Sequence, residues 1–153
     1  MNLSKDEVGL LLETLSSKDD KVWPKTNWPA IRFKDGLNVG AKGGHGIIQY
    51  EIEGNIPGDE IVFRFLKPHG FNGIHKFEIK DLGDNTTEVK HSIIMITEGI
   101  VATLKWALVI RWLHDALIEN AFDTIENNAL DKKKHTKWNL WVRIWRFIFS
   151  KIR

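Results

Sequence analysis

Residues 40–56 read GAKGGHGIIQYEIEGNI, and what this stretch is decides the fold. Four glycines surround His45, and the chain then passes at once into alternation, with Ile48, Tyr50 and Ile52 set against Gln49 and Glu51. A phosphate-binding loop needs a lysine–serine ending or a following helix whose first amides hold the anion. The period of two that follows predicts a strand instead. The glycines therefore belong to a bend, because a chain entering a twisted sheet needs positive φ or a bulge there. His45 is expected as part of that bend or at the rim of a ligand cavity.

The same alternation recurs downstream in EIVFRFL (60–66), GIHKFEIKDL (73–82) and TTEVKHSIIMIT (86–97). Between these runs lie PGDE, KPHGFNG and GDN, each a turn by composition. An antiparallel meander follows. One face would carry Tyr50, then Phe63 and Phe65, then His75 and Phe77, then His91 and Met95, while Gln49, Arg64, Lys76 and Lys90 mark the other.

Helical patterns flank the meander. Ser4 with Glu7 three places on makes a capping box ahead of apolar residues at helical spacing, which predicts a helix over about 5–16. The steps Trp23-Pro24 and Trp28-Pro29 forbid its continuation and mark a loop. After Thr97, a candidate N-cap, more than thirty residues run without proline, long enough to cross the sheet. Lys105, Arg111, His114 and Asp115 interrupt its apolar stretch, so it cannot span a membrane cheaply and belongs on the sheet. A last segment, WNLWVRIWRFIFSKIR (138–153), sets Trp138, Trp141, Trp145 and Ile152 on one helical face against Arg143, Arg146 and Arg153.

The formal net charge of +2 hides an asymmetry. From Asp131 onward eight Lys and Arg stand against one Asp, whereas the preceding residues carry 14 basic and 19 acidic side chains. The absence of cysteine excludes disulfides, thiol nucleophiles and thiolate metal sites, and no signal-peptide pattern opens the chain, so a cytoplasmic location is expected. The domain organisation predicted is one unit over 1–130 followed by a basic aromatic helical tail over 131–153.

The segments WPAIRF, VGAKGGHGIIQYEI, PGDEIVFRF, GFNGIHKFEI, VKHSIIMI and LVIRWLHDALIENAFD resemble, in order and spacing, bacterial members of the START-like superfamily, the SRPBCC or polyketide cyclase/dehydrase group. The resemblance covers about residues 8–130. It implies an α+β helix-grip fold, a curved antiparallel sheet wrapped on a long C-terminal helix, with a hydrophobic cavity between them. Elsewhere in the superfamily that cavity takes lipids, sterols, polyketides and plant hormones. Members usually begin with a strand before the first helix. Here a strand is expected upstream, or else an open sheet edge that the tail helix would cover.

The candidate ligand-binding residues are Tyr50, Phe63, Phe65, His75, Phe77, His91 and Met95 on the sheet, with Arg111, His114 and Asp115 on the long helix. His75 and His91 each replace an apolar residue on an inward face, where an imidazole needs a partner for each nitrogen. Three readings stay open for them: a hydrogen-bonded core, a cavity lining, or a metal site. With no His-Glu-x-x-His pattern, neither metal nor other cofactor is expected. Arg111, Asp115 and Glu119 form either a surface ion-pair ladder or a cavity stripe that orients His114 or His75 for acid–base work. The expected function is binding of a small hydrophobic molecule; a cyclase or dehydratase and a membrane-docked lipid carrier are the alternatives. For the tail the readings are packing on the domain, a homodimer, or peripheral membrane contact through Trp138, Trp141, Trp145, Arg143 and Arg146. Nucleic acid is not an expected partner, since no aromatic-basic pattern marks the sheet.

Overall fold

The computed structural model describes residues 1–151, so Ile152 and Arg153 of the tail lie outside the described residues. Its sheet has six antiparallel strands in the order of the chain: β1 (Arg32–Phe33), β2 (Lys42–His45), β3 (Ile48–Ile56), β4 (Glu60–Lys67), β5 (Phe71–Asp81) and β6 (Thr87–Thr97). Helix α1 (Lys5–Leu12) precedes it. A long helix follows, made of α2 (Ile100–Lys105), a π-helical turn (Trp106–Ile110) and α3 (Arg111–Leu130), and α4 (Leu140–Lys151) closes the chain. This is the α+β helix-grip architecture that the order of patterns predicts.

The Gly-His stretch forms β2 and the turn into β3, so the chain is already in the sheet at Lys42, earlier than the alternation indicates. His45 pairs with Ile48 across a two-residue turn in which Gly46 holds φ at +56°. A Cβ on Gly43 would collide with the Arg32 carbonyl of β1, so the glycine is what lets β1 approach β2 this closely. Helix α1 starts on the predicted capping box, with Ser4 Oγ accepting from the Glu7 amide and the Glu7 carboxylate accepting from the Ser4 amide. It ends four residues earlier than predicted, at Leu12, and turns continue to Ser16 at φ +67°. Thr97 is not the cap of the long helix: it ends β6, and Gly99 takes the N-cap place without a side-chain bond.

The free edge of β6 is met at its start by the N-terminus. The Thr87 amide donates to the Met1 carbonyl, the Met1 ammonium donates to the Thr87 carbonyl, and Thr87 Oγ1 donates to the Leu3 carbonyl. Residues 1–3 thus occupy part of the position expected of a first strand. The tail does not cover that edge. Instead α4 packs on α3 and the Trp-Pro loop: Val142 is buried, the Trp138 indole donates to Asn120 Oδ1, and the same oxygen accepts from the Trp28 indole. The Arg146 guanidinium lies over both rings, 4.4 Å from Trp28 and 4.1 Å from Trp138.

The π turn has its own support. A turn with i→i+5 bonding disturbs the carbonyl ladder and leaves oxygens for other donors. The Trp112 indole donates to the Ala107 carbonyl, and the Trp141 indole of α4 donates to that of Leu108.

Candidate functional site

Inward-facing residues of four strands and one helix converge near the middle of the grip. His75 on β5 stands opposite Phe63 on β4, and their rings stack at 4.6 Å and 13°. Tyr50 from β3 lies 4.5 Å from the same imidazole, centroid to centroid. His91 on β6 faces Phe77 in register, one pleat along from His75, which brings His75 Nδ1 and His91 Nε2 to 3.1 Å. From the helix side, His114 approaches His91 at 4.9 Å and His75 at 6.3 Å between centroids. One ring nitrogen from each of these three histidines lies within 4.8 Å of the other two.

Burial decides the charge of His75 and His91, and of His45 nearby. Desolvation, followed by the neighbouring imidazole of His114, pushes His91 down to about 3, and the same two causes hold His45 at about 3. His75, 2% exposed, is driven well below the ordinary histidine value by burial first and then by His91, His114 and His45. These rings are neutral at physiological pH and offer lone pairs. His45 completes a chain of contacts at the rim, with its Nε2 3.0 Å from the Tyr50 hydroxyl and its ring against Trp23. Burial raises the Tyr50 phenol, which therefore stays protonated. Within this cluster two buried nitrogens have no hydrogen-bond partner among the described residues, His75 Nε2 and His114 Nδ1; the carboxylate oxygen Asp115 Oδ1 is 3.8 Å from the latter.

The structure brings together Tyr50, Phe63, Phe65, His75, Phe77, His91 and His114, with Met95 half-buried farther along β6. Arg111 and Asp115 stand outside this group. Both are exposed, 62% and 61%, and they face each other at 4.0 Å as a surface ion pair. Glu119 is exposed as well, so the cavity-stripe reading fails for all three and the ion-pair ladder holds for Arg111 with Asp115. Among the residues not predicted are Trp106, whose ring lies 6.4 Å from His114 and edge-on to Phe71 at 5.8 Å, and Ile110. Both lie in the π turn, across which the ordinary helical spacing to His114 does not hold, so no spacing in the sequence marks them.

The expected open hollow at the centre is filled. Tyr50, Phe63, Phe65, His75 and Phe77 are all buried with their rings in contact, so aromatic packing occupies that space. Two hollows lie elsewhere. One, about 280 Å³, sits between the end of α1 and the β3–β4 turn; the other, about 380 Å³, lies between the start of β6 and the end of α3. Neither is lined by a histidine. What loosens is the flank: Ile93, Met95, Trp106, Ile110 and Leu113 are only partly buried, and none of the π-turn residues is fully buried.

No protein-family model and no curated protein sequence matches the chain. Solved structures do. The crystal structure of CalU16 from Micromonospora echinospora superposes with a TM-score of 0.57 at 8% identity, covering 99% of this chain and 82% of that one. A solution structure from Thermobifida fusca gives a TM-score of 0.61 at 13% identity, covering 91% and 94%. At such identities the likeness shows the fold alone, and the fold is of the helix-grip type. Among the described residues no helix is long and apolar enough to cross a membrane.

Proposed function

We propose that the protein is a START-like domain that binds a small apolar molecule between the first half of the long helix and the far ends of β5 and β6. The observation that carries this reading is the loosened flank: Met95, Ile93, Trp106 and Ile110 face inward yet remain partly exposed beside three polar rings. Small-molecule sites are mostly apolar with a few convergent polar groups, and this flank has that composition. The ligand's body lies on Phe71, Met95 and Trp106, and its polar end reaches His91 and His114. A polycyclic phenol serves as probe. It binds with 1:1 saturation and quenches tryptophan emission, and Met95→Lys abolishes binding while Leu10→Lys, at an exposed position on α1, leaves it intact. Binding that is not saturable, or that survives Met95→Lys, overturns the reading.

Acid–base catalysis near neutral pH has less support, because burial holds three of the histidines neutral and the carboxylates meant to orient them are exposed. Peripheral membrane contact is favoured by a separate feature. Leu104, Leu108 and Trp112 on the long helix and Leu140, Trp141, Ile144 and Phe147 on α4 are exposed apolar residues, and Trp141 joins the two helices. Arg143 flanks this surface, whereas Trp138 and Arg146 are engaged against Trp28 inside. Sedimentation with anionic vesicles tests it: Trp141→Glu with Phe147→Glu releases the protein from the lipid, and unchanged sedimentation of that double variant removes the reading.

A further inference from the structure

We propose that His75, His91 and His114 form a site for one divalent transition-metal ion of the zinc class. The chemistry of the donors selects it: three imidazoles with no thiolate and no carboxylate among them suit Zn, Co, Ni or Cu rather than Mg or Ca.

The geometry argues the case in two steps. His75 Nδ1 and His91 Nε2 face each other at 3.1 Å. One proton can join such a pair as an ordinary hydrogen bond, and one metal ion can join it too: nitrogens at 2.0–2.1 Å from a tetrahedral ion stand about 3.3 Å apart. The third histidine separates the two cases. A two-ring hydrogen bond has no use for His114, yet the long helix carries that ring over the pair, with a nitrogen of each ring within 4.8 Å of the others. His114 Nδ1 is buried there without a partner, and so is His75 Nε2 on a residue 2% exposed. A buried nitrogen without a partner costs desolvation, and an ion held by His114 through Nδ1 engages that idle lone pair, whereas His75, which turns Nδ1 toward His91, keeps Nε2 on the far side of its ring.

The elements that hold the three rings are rigid. His75 and His91 are fixed by strand register, by the stacking of His75 on Phe63 and by the edge-on contact of His91 with Phe77, and His114 opens the tightly packed half of the helix. Contraction from 4.8 Å to about 3.3 Å between nitrogens is within reach of side-chain rotation. Three protein ligands leave a fourth position for water or for an oxygen of a bound molecule, the arrangement of reactive rather than purely structural zinc. The site does not depend on the apolar ligand proposed above, because the ion needs only the three rings.

The test uses the full chain, stripped with a chelator and titrated with Co(II) alone. One equivalent binds, the visible d–d bands of a four-coordinate ion appear, and Zn(II) bleaches them. His91→Ala and His114→Ala each weaken Co(II) binding by about 100-fold or more, beyond the 10–100-fold that an outer-shell partner contributes. His135→Ala, in the exposed tail segment, leaves it unchanged. Circular dichroism confirms that the variants fold, and if His91→Ala does not, the partly exposed His114 decides alone. Absence of the bands, or affinity unchanged in His114→Ala, overturns the proposal. Neither result bears on the polycyclic probe, so the two readings fail separately.

Discussion

The long helix behaves as two helices joined at the π turn. Its second half, from Ala116 to Ile125, buries Ala116, Leu117, Ile118, Asn120, Ala121, Asp123 and Ile125, with α1 and α4 packed on it. Its first half buries only Ala102, while Val101, Leu104, Leu108 and Trp112 are exposed. The exposed first half is the more apolar of the two in sequence, so composition does not cause the difference. The π turn does: a single wider turn shifts the phase of every residue before it relative to those after it, and the inward stripe of α3 no longer continues into α2. His114 sits at the boundary, where tight packing ends. A fold that must be stable and also admit a ligand or an ion can divide those tasks along one helix, and the two sites proposed above lie on the looser side of that boundary.

The largest effect expected falls on the boundary itself and is read in acid. For metal-free protein, His45 and His91 have ordinary histidine values near 6.5 when unfolded and about 3 when folded. Below 6.5 the unfolded chain therefore binds more protons than the native one, and stability falls as pH falls, until the native rings protonate near 3. Each of the two removes on the order of 1 kcal/mol per pH unit across that window, and His75 acts in the same direction. Urea midpoints should drop steeply between pH 6.5 and 4, and His91→Gln should flatten the slope. A midpoint constant over that range would mean the rings are solvated and the boundary is not packed.

Leucine truncation compares the halves directly. Leu117→Ala, at a site 2% exposed, is expected to lose 2–5 kcal/mol in urea denaturation. Leu108→Ala, 52% exposed, should stay within about 0.5 kcal/mol. Equal losses would erase the distinction between gripping and standing off. Asn120 tests how the tail joins the tight half, since its single Oδ1 accepts from the indoles of Trp28 and Trp138 together. Asn120→Ala strands both donors at a cost of roughly 1–3 kcal/mol. Limited proteolysis should then cut between residues 131 and 139 first, and a cleavage pattern unchanged from the parent would show that Arg146, Val142 and the Trp141–Leu108 bond hold α4 without Asn120.

Much of this was legible in the sequence and some was not, for definite reasons. Period-two alternation identified β3 to β6 and the inward faces of Tyr50, Phe63, His75, Phe77 and His91, because burial on one side of a pleated strand leaves no other pattern. β1 and β2 escaped it, since two residues and a glycine pair carry no alternation. The capping box gave the start of α1, whereas nothing comparable marks its end. The long helix was readable as a helix but not as an oriented one. Apolar residues cover most of its circumference from Ile100 to Leu113, so period alone cannot say which face meets the sheet, and the π turn then resets the phase. The filled centre was also out of reach, because whether large rings interdigitate or leave a hollow depends on strand curvature that no spacing records.

The smallest effect expected is the one that separates the two sides of that helix most finely. Arg111, His114 and Asp115 lie within one turn, and at 100° per residue His114 is only about 60° from Arg111 in one direction, with Asp115 about 40° away in the other. That modest rotation takes His114 into contact with His91 and leaves the ion pair in water. An exposed pair at 4.0 Å, with both side chains more than half accessible, is worth less than about 0.5 kcal/mol after screening. Asp115→Asn should therefore change the urea midpoint by little at any salt concentration and leave both Co(II) and polycyclic-phenol affinity within about twofold, a factor that corresponds to under 0.5 kcal/mol. A tenfold loss of Co(II) affinity in that variant would give the carboxylate a part in orienting His114, and would move the inward face of the helix by one residue.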